Sequence, residues 1–229
     1  MPDEPRAESV PRAWLSWSSG KDSAFALQEV RRARTYEVVG LLTTLSSEFD
    51  RVSIHGVREE LLERQARSVG LPLVRVWIPS PCPNEVYERE MSRAMDGAKA
   101  DGIRHIVFGD LFLEDVRRYR EERLEPIGMR GVFPLWGRNT RELARAMMAN
   151  GLRARIACLD TKKLPRSFAG REYDARFLEA LPPSVDPCGE RGEFHTFVTD
   201  APGFREPVNV TVGEVVEREG FAFADLAPA

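Results

Sequence analysis

Three cysteines in 229 residues, Cys82, Cys158 and Cys188, contain no CxxC pair. Their wide spacing excludes a disulfide framework and a four-cysteine zinc site, and fits a free-thiol protein in a reducing compartment. No run approaches the roughly 18 consecutive apolar residues that a membrane span requires, because charged or polar residues interrupt each hydrophobic stretch. No charge of one sign dominates: 33 basic against 36 acidic residues leave a net charge of -3, which gives no global pull toward nucleic acid. The opening residues Met1–Arg12 mix proline with both charge signs and lack the apolar centre of an export signal, so they are expected to be a flexible tail. A soluble, cytoplasmic chain acting on a small-molecule or protein-borne substrate is the expectation that remains.

What is present is an apolar share of 42%, enough for a packed interior. Five runs rich in β-branched and aromatic residues, Ala13–Trp17, Glu37–Leu45, Leu73–Ile78, His105–Phe108 and Arg153–Leu159, have the composition of buried strands. Between and after them Asp22–Arg34, Val57–Val69, Glu85–Ala100, Glu114–Leu124 and Thr140–Ala149 repeat at helical spacing, as at Leu61, Leu62, Gln65 and Val69. Alternation of strand and helix predicts an α/β fold with a five-stranded parallel sheet and right-handed crossovers. After Gly128 the pattern loosens, so the expected division is 13–128 for the α/β domain and 129–229 for a smaller C-terminal α+β domain. In the latter, Val208, Val210 and Val212 alternate with polar residues as in a half-exposed strand.

The first strand runs directly into Ser18-Ser19-Gly20-Lys21-Asp22-Ser23 and then into a helix. Such a turn offers unpaired backbone N–H groups and the positive end of a helix dipole to an anion, while glycine permits close approach of the backbone. A GxxxxGK[ST] phosphate loop is excluded, since Leu15 stands where its first glycine is needed and Asp22 follows the lysine. A GxGxxG dinucleotide turn is excluded because Gly20 is the only glycine in the segment. The blander alternative is a serine-rich helix cap.

Ser18–Ser23 resembles the SxGxDS pyrophosphate-binding loop of the adenine nucleotide α-hydrolase superfamily. Its usual form is SGGxDS, so Ser19 departs at the second position, a departure expected to be harmless where the backbone there needs no positive φ. With Phe108–Glu121 after the fourth strand and Asp186–Val198, which contains Gly189-Glu190-Arg191-Gly192-Glu193-Phe194, the chain resembles the diphthine–ammonia ligase family and its bacterial relatives from about Ala13 to Val198. That resemblance implies a Rossmann-like ATP-binding fold and an ATP-dependent amidation. A substrate carboxylate attacks the α-phosphate, pyrophosphate leaves, and ammonia or an amine displaces AMP. Two departures bear on the acceptor: Gly109–Glu114 replaces a GAxxSDYQ-like segment of archaeal and eukaryotic ligases, and His195 stands where they usually have glutamate.

For ATP the expected contacts are Ser18, Ser19, Gly20, Lys21, Asp22 and Ser23, with Thr43 and Gly109 at neighbouring strand ends and with Lys21 and Asp22 catalytic. Asp22 and Asp110, both just after parallel strands, are the candidates to hold Mg²⁺; the alternative for Asp110 is a helix N-terminal charge. Glu114, Arg117 and Glu121 share a helix face, as a substrate-facing stripe or a surface ion-pair ladder. Glu190, Glu193 and His195 are expected to bind the second substrate and relay a proton, with Glu193 and His195 on one face if the chain is extended there; a solvated turn and a metal site using Cys188, Glu190 and His195 are the alternatives. His55 is read as lining the adenine pocket or as a structural histidine. A homo-oligomer is compatible with these features, and two other functions remain open: an RNA-modifying ATP pyrophosphatase and a nucleotide-sensing protein that does not turn ATP over.

Overall fold

The structure, a computed structural model, describes residues 10–48, 51–52 and 56–229. His55 therefore lies outside the described residues.

The N-terminal part runs β1 (Arg12–Ser16), α1 (Lys21–Ala33), β2 (Glu37–Ser46), β3 (Arg51–Val52), α2 (Glu59–Val69), β4 (Leu73–Ile78), α3 (Asn84–Ala100), β5 (His105–Val107), α4 (Glu114–Leu124) and β6 (Arg130–Val132). Five strands pair in parallel in the order β4-β2-β1-β5-β6, and the two-residue β3 adds antiparallel to the end of β2. Both faces of this sheet are buried. Leu15, Leu41 and Leu45 pack with Phe25, Val30, Leu61 and Leu62 of α1 and α2, while Trp14, Leu42, Val76 and Ile106 pack with Met95 and Ala98 of α3 and Leu124 of α4. The continuous apolar runs of the strands reflect this double burial, since a parallel sheet covered by helices has no solvent face to alternate with. Removing a side chain such as Leu61 to alanine would cost about 2–5 kcal/mol.

The remaining chain forms α5 (Thr140–Ala149), β7 (Arg153–Asp160), α6 (Ala175–Ala180), β8 (Phe194–Asp200), β9 (Val210–Arg218) and β10 (Phe221–Pro228). These strands build a second, antiparallel sheet in the order β8-β7-β10-β9. The α/β class, the five parallel strands and the smaller C-terminal sheet domain agree with the sequence reading, but one strand changes place. Arg153–Leu159 belongs to the antiparallel sheet, and the fifth parallel strand is the short Arg130-Gly131-Val132, paired with His105–Val107. A buried hydrophobic run has the same composition in either kind of sheet, so its partners are not encoded in the run itself.

The two sheets share one hydrophobic core, which takes in Leu15, Phe25 and Leu61 together with Ile156, Phe197 and Leu226. At their boundary Arg58, which precedes α2, pairs with Asp225 of β10 through contacts of 2.7–3.1 Å. The sheet order places the ends of β1 and β5 side by side, and the turn Ser18–Ser23 lies there, against β8. Among the described residues no helix is long and apolar enough to cross a membrane.

Candidate active site

The turn after β1 closes on itself and on three neighbours. The Thr43 hydroxyl donates to the Trp17 carbonyl at 2.6 Å, which fixes the strand end just before the turn. Within it the Ser23 hydroxyl donates to the Gly20 carbonyl at 2.9 Å, the Ser18 and Ser23 hydroxyls lie 3.3 Å apart, and Gly20 precedes α1 in extended conformation. Gly109, after β5, lies so close to α1 that an added Cβ would come within 2.8–3.0 Å of the backbone of Asp22 and Ser23. Only glycine fits such an approach without moving main chain.

Ser19 stands at φ 67°, the left-handed region. The loop therefore does use a positive φ where its usual form has glycine, contrary to the condition on which the serine was expected to be harmless. For a residue with a Cβ this conformation costs about 1–2 kcal/mol. Ser19 is fully buried, and its hydroxyl oxygen, like Oδ1 of Asp22, is a buried polar atom with no hydrogen-bond partner among the described residues. Buried polar groups are nearly always satisfied, so two orphans in one phosphate-type turn are polar atoms available to a ligand.

Lys21 is seated by the C-terminal part. Its N–H donates to Thr196 Oγ1 at 3.0 Å, and its buried ammonium donates to Asp22 Oδ2 at 2.8 Å and to the Cys188 carbonyl. The rings of Tyr173 and Phe194 flank the ammonium at 5.6 and 5.4 Å. Burial is the largest single influence and works against its charge, but Asp22, Cys188 and Glu190 together outweigh it and hold the pKa above the usual lysine value. Burial also raises Asp22; Lys21 pulls it back in part, while Asp186 and Asp110 push it further up.

The other predicted residues divide by what their side chains already do. Glu190 accepts from the Leu111 N–H at 2.8 Å, joining the C-terminal segment to the turn after β5; burial, reinforced by Asp22 and Asp110, raises its pKa to about 7 against the pull of that hydrogen bond and Lys21. Glu193 is buried and both its oxygens accept backbone N–H groups, Asp186 at 3.1 Å and Arg191 at 2.9 Å. His195 lies on β8, where burial and the Lys21 charge lower its pKa to about 4, leaving a neutral imidazole near pH 7. Asp110 is held by both arms of Arg120 at 2.7 and 3.0 Å, and this guanidinium also covers the Phe108 ring. Arg117 and Glu121 form an ion pair at 2.8 Å, with Arg117 against Phe133 and Trp136, whereas Glu114 is exposed. Among the described residues no group of three or more histidine, cysteine or acidic side chains is arranged to hold a metal ion by itself.

Several residues that shape the site were not singled out from the sequence. Asp186 takes the Thr140 hydroxyl at 2.7 Å and the Cys188 N–H at 2.8 Å. Tyr173 donates to the Pro187 carbonyl at 2.8 Å. Gln65, fully buried on α2, reaches the turn itself. A glutamine on the apolar face of a helix was the one available signal; Thr196 and the Cys188 carbonyl act through contacts spanning most of the chain and left none.

The chain is similar to diphthine–ammonia ligases: that of Homo sapiens is 26% identical over 92% of this chain and 86% of the relative, and that of Danio rerio 27% over 91% and 90%. The diphthine–ammonia ligase of Schizosaccharomyces pombe is 27% identical over 87% of this chain, which covers 36% of that longer protein. The model of the diphthamide synthase N-terminal domain matches residues 12–131, which take in the turn Ser18–Ser23 and nearly all of the parallel sheet, and that of the diphthamide synthase C-terminal domain matches 139–226, which holds most of the second sheet. With both models matched in order along one chain, the protein belongs to the diphthamide synthase family.

Proposed function

We propose that the protein is an ATP-dependent, AMP-forming amide ligase. The observation that carries this reading is the turn Ser18–Ser23, where a left-handed Ser19 and a helix N-terminus surround two orphaned polar atoms beside a buried lysine. Among the described residues the N–H groups of Asp22 and Ser23, which start α1, have no protein acceptor, as expected of a helix end that takes an anion. The names of the relatives support ligation of ammonia to a carboxylate.

In the proposed reaction a substrate carboxylate oxygen attacks the α-phosphorus of ATP, the bond to the bridging oxygen breaks, and pyrophosphate leaves. Ammonia then attacks the acyl carbon of the adenylate, AMP leaves, and one proton is released. Ser18, Ser19, Gly20 and Ser23 hold the phosphates, and Lys21 moves from the Cys188 carbonyl to the charge that develops on them. Asp22, with its orphaned oxygen, and Asp110, once Arg120 releases it, would hold Mg²⁺, which supplies charge neutralisation at the phosphates. Glu190, poised near neutrality, accepts the proton that ammonia loses. Thr43 and Gly109 serve the turn by fixing its borders, and Glu193 serves the acceptor side by shaping the segment that carries Glu190.

In this division of labour residues 13–128 bind ATP and 129–229 present the acceptor side, with the stripe of Glu114, Arg117 and Glu121 at its border. The acceptor is a carboxylate, and the departures at Gly109–Glu114 and His195 favour one other than diphthine. The three described cysteines are free, which supports a reducing compartment such as the cytoplasm. The test is product analysis with Mg²⁺-ATP, ammonium and a panel of carboxylates: AMP and pyrophosphate are expected in equal amounts, whereas ADP and phosphate, or ATP bound without turnover, would refute the ligase reading.

A further inference from the structure

We infer that Gln65 is a positioning residue for nucleotide binding: from α2 it locks the Ser19–Gly20 peptide in the orientation that turns the Gly20 N–H toward the phosphates. The proposal deepens the ATP-binding reading and rests on it.

Gln65 is fully buried and its amide is engaged at both ends. Oε1 accepts the Trp17 indole N–H at 3.0 Å, and Nε2 donates to the Ser19 carbonyl at 3.1 Å and to the Val198 carbonyl at 2.6 Å. The amide can face only one way. An indole nitrogen only donates and a carbonyl only accepts, so the flipped amide would set donor against donor and acceptor against acceptor. Glutamate lacks the two donors, lysine lacks the acceptor, and methionine lacks both. A glutamine at this helix position therefore meets three demands at once: the Trp17 indole just after β1, the turn and β8.

The Ser19 carbonyl also accepts the Val198 N–H at 2.9 Å, so both its lone pairs are used, one toward α2 and one toward β8. A trans peptide points its carbonyl and its N–H in opposite directions. Pinning the Ser19 oxygen to α2 and β8 thus aims the Gly20 N–H away from them, toward the side on which the Ser18 hydroxyl lies at 3.4 Å. The same two bonds hold Ser19 at its φ of 67°, a conformation that a serine does not keep unaided. The lock and the strain are two parts of one arrangement: a glycine at position 19 would need less holding.

That relation gives the test. ATP affinity is measured by calorimetry with Mg²⁺ on the whole chain for the parent, Gln65→Met, Ser19→Gly and the double variant, with folding checked by thermal unfolding. Gln65→Met is expected to weaken ATP about tenfold, the effect of leaving buried polar groups unpaired beside a site. Ser19→Gly alone is expected to weaken ATP by loss of its hydroxyl, and the double variant to bind ATP more tightly than the product of the two single losses predicts, a non-additivity a simple packing defect lacks. Gln65→Glu, which keeps the acceptor and removes the donors, should shift the loop without shifting the Trp17 indole N–H resonance as far as Gln65→Met does. Unchanged affinity in Gln65→Met, or losses in the two single variants that simply multiply in the double variant, would overturn the lock. Should Gln65→Met fail to fold, the comparison of Gln65→Glu with and without Ser19→Gly decides by the same criterion. Absence of ATP binding in the parent would instead overturn the ATP reading itself, so the two failures are distinguishable.

Discussion

The turn Ser18–Ser23 and the segment Asp186–His195 face each other and handle their polar atoms in opposite ways. In the turn, the Ser19 hydroxyl and one Asp22 oxygen are buried without partners among the described residues, and the backbone is strained at Ser19. In the opposite segment the carboxylates of Asp186 and Glu193 are spent on backbone N–H groups and on Thr140, and Glu190 anchors the turn after β5. A surface that keeps polar atoms unsatisfied holds them for a ligand, while one that satisfies them internally is a frame. Acidic residues clustered in sequence thus need not be acidic residues offered to a substrate, and of this cluster Glu190 is the one whose ionisation is poised near neutrality.

The sharpest way to break this contrast is to remove one residue from each side. Lys21→Met should lower AMP formation about 10²–10³-fold, as loss of a group that stabilises developing charge does. Glu193→Ala should instead lower stability by about 1–3 kcal/mol by stranding the buried Asp186 N–H and the part-buried Arg191 N–H. Turnover assays read beside thermal unfolding check this; a Glu193 variant that keeps its stability but loses turnover would place that carboxylate among the reacting groups. Next in size is Gly109→Ala. Its methyl group meets main chain of α1, so a cost of about 1–3 kcal/mol and weaker ATP binding are expected together, by chemical denaturation and calorimetry.

Smaller effects appear in pH dependence. Glu190, with its pKa raised to about 7, holds its proton more tightly folded than unfolded. It therefore contributes stability that is complete below the unfolded value of about 4.3 and is lost as pH rises through 7. His195 has its pKa lowered to about 4, so its contribution is complete above about 6.5 and is lost as pH falls toward 4. The slopes oppose each other in the overlapping window: Glu190→Gln should unmask a steeper acid loss, and His195→Gln a steeper loss toward neutral pH, in unfolding followed from pH 4 to 8. The smallest effect is expected for Arg117→Ala, about 0.2–0.5 kcal/mol for a helix ion pair. A larger change in the KM of the acceptor would make that stripe a substrate contact.

The sequence made the parallel sheet and the turn readable for a shared reason: both are written locally. Doubly buried strands must be apolar throughout, and a turn that cradles an anion must be built of small residues before a helix. β6 escaped notice because Arg130-Gly131-Val132 is short and contains a glycine, so only its neighbour His105–Val107 makes it a strand. Gln65 was legible as a helical position and not as a contact, since its meaning lies in Trp17, Ser19 and Val198. The Lys21 seat was illegible for the same reason, because Cys188 takes part through a carbonyl that every residue possesses.

That seat has a consequence for the order in which the chain is made. Lys21 bonds to Cys188 and Thr196, which lie 167 and 175 positions later. At about 5–20 residues per second of synthesis, the lysine emerges many seconds before anything that can hold it. During that interval it lacks the seat that Cys188 and Thr196 complete, and the turn proposed to take nucleotide is not yet assembled. Nucleotide affinity should therefore arrive late and all at once, when β8 docks beside the turn.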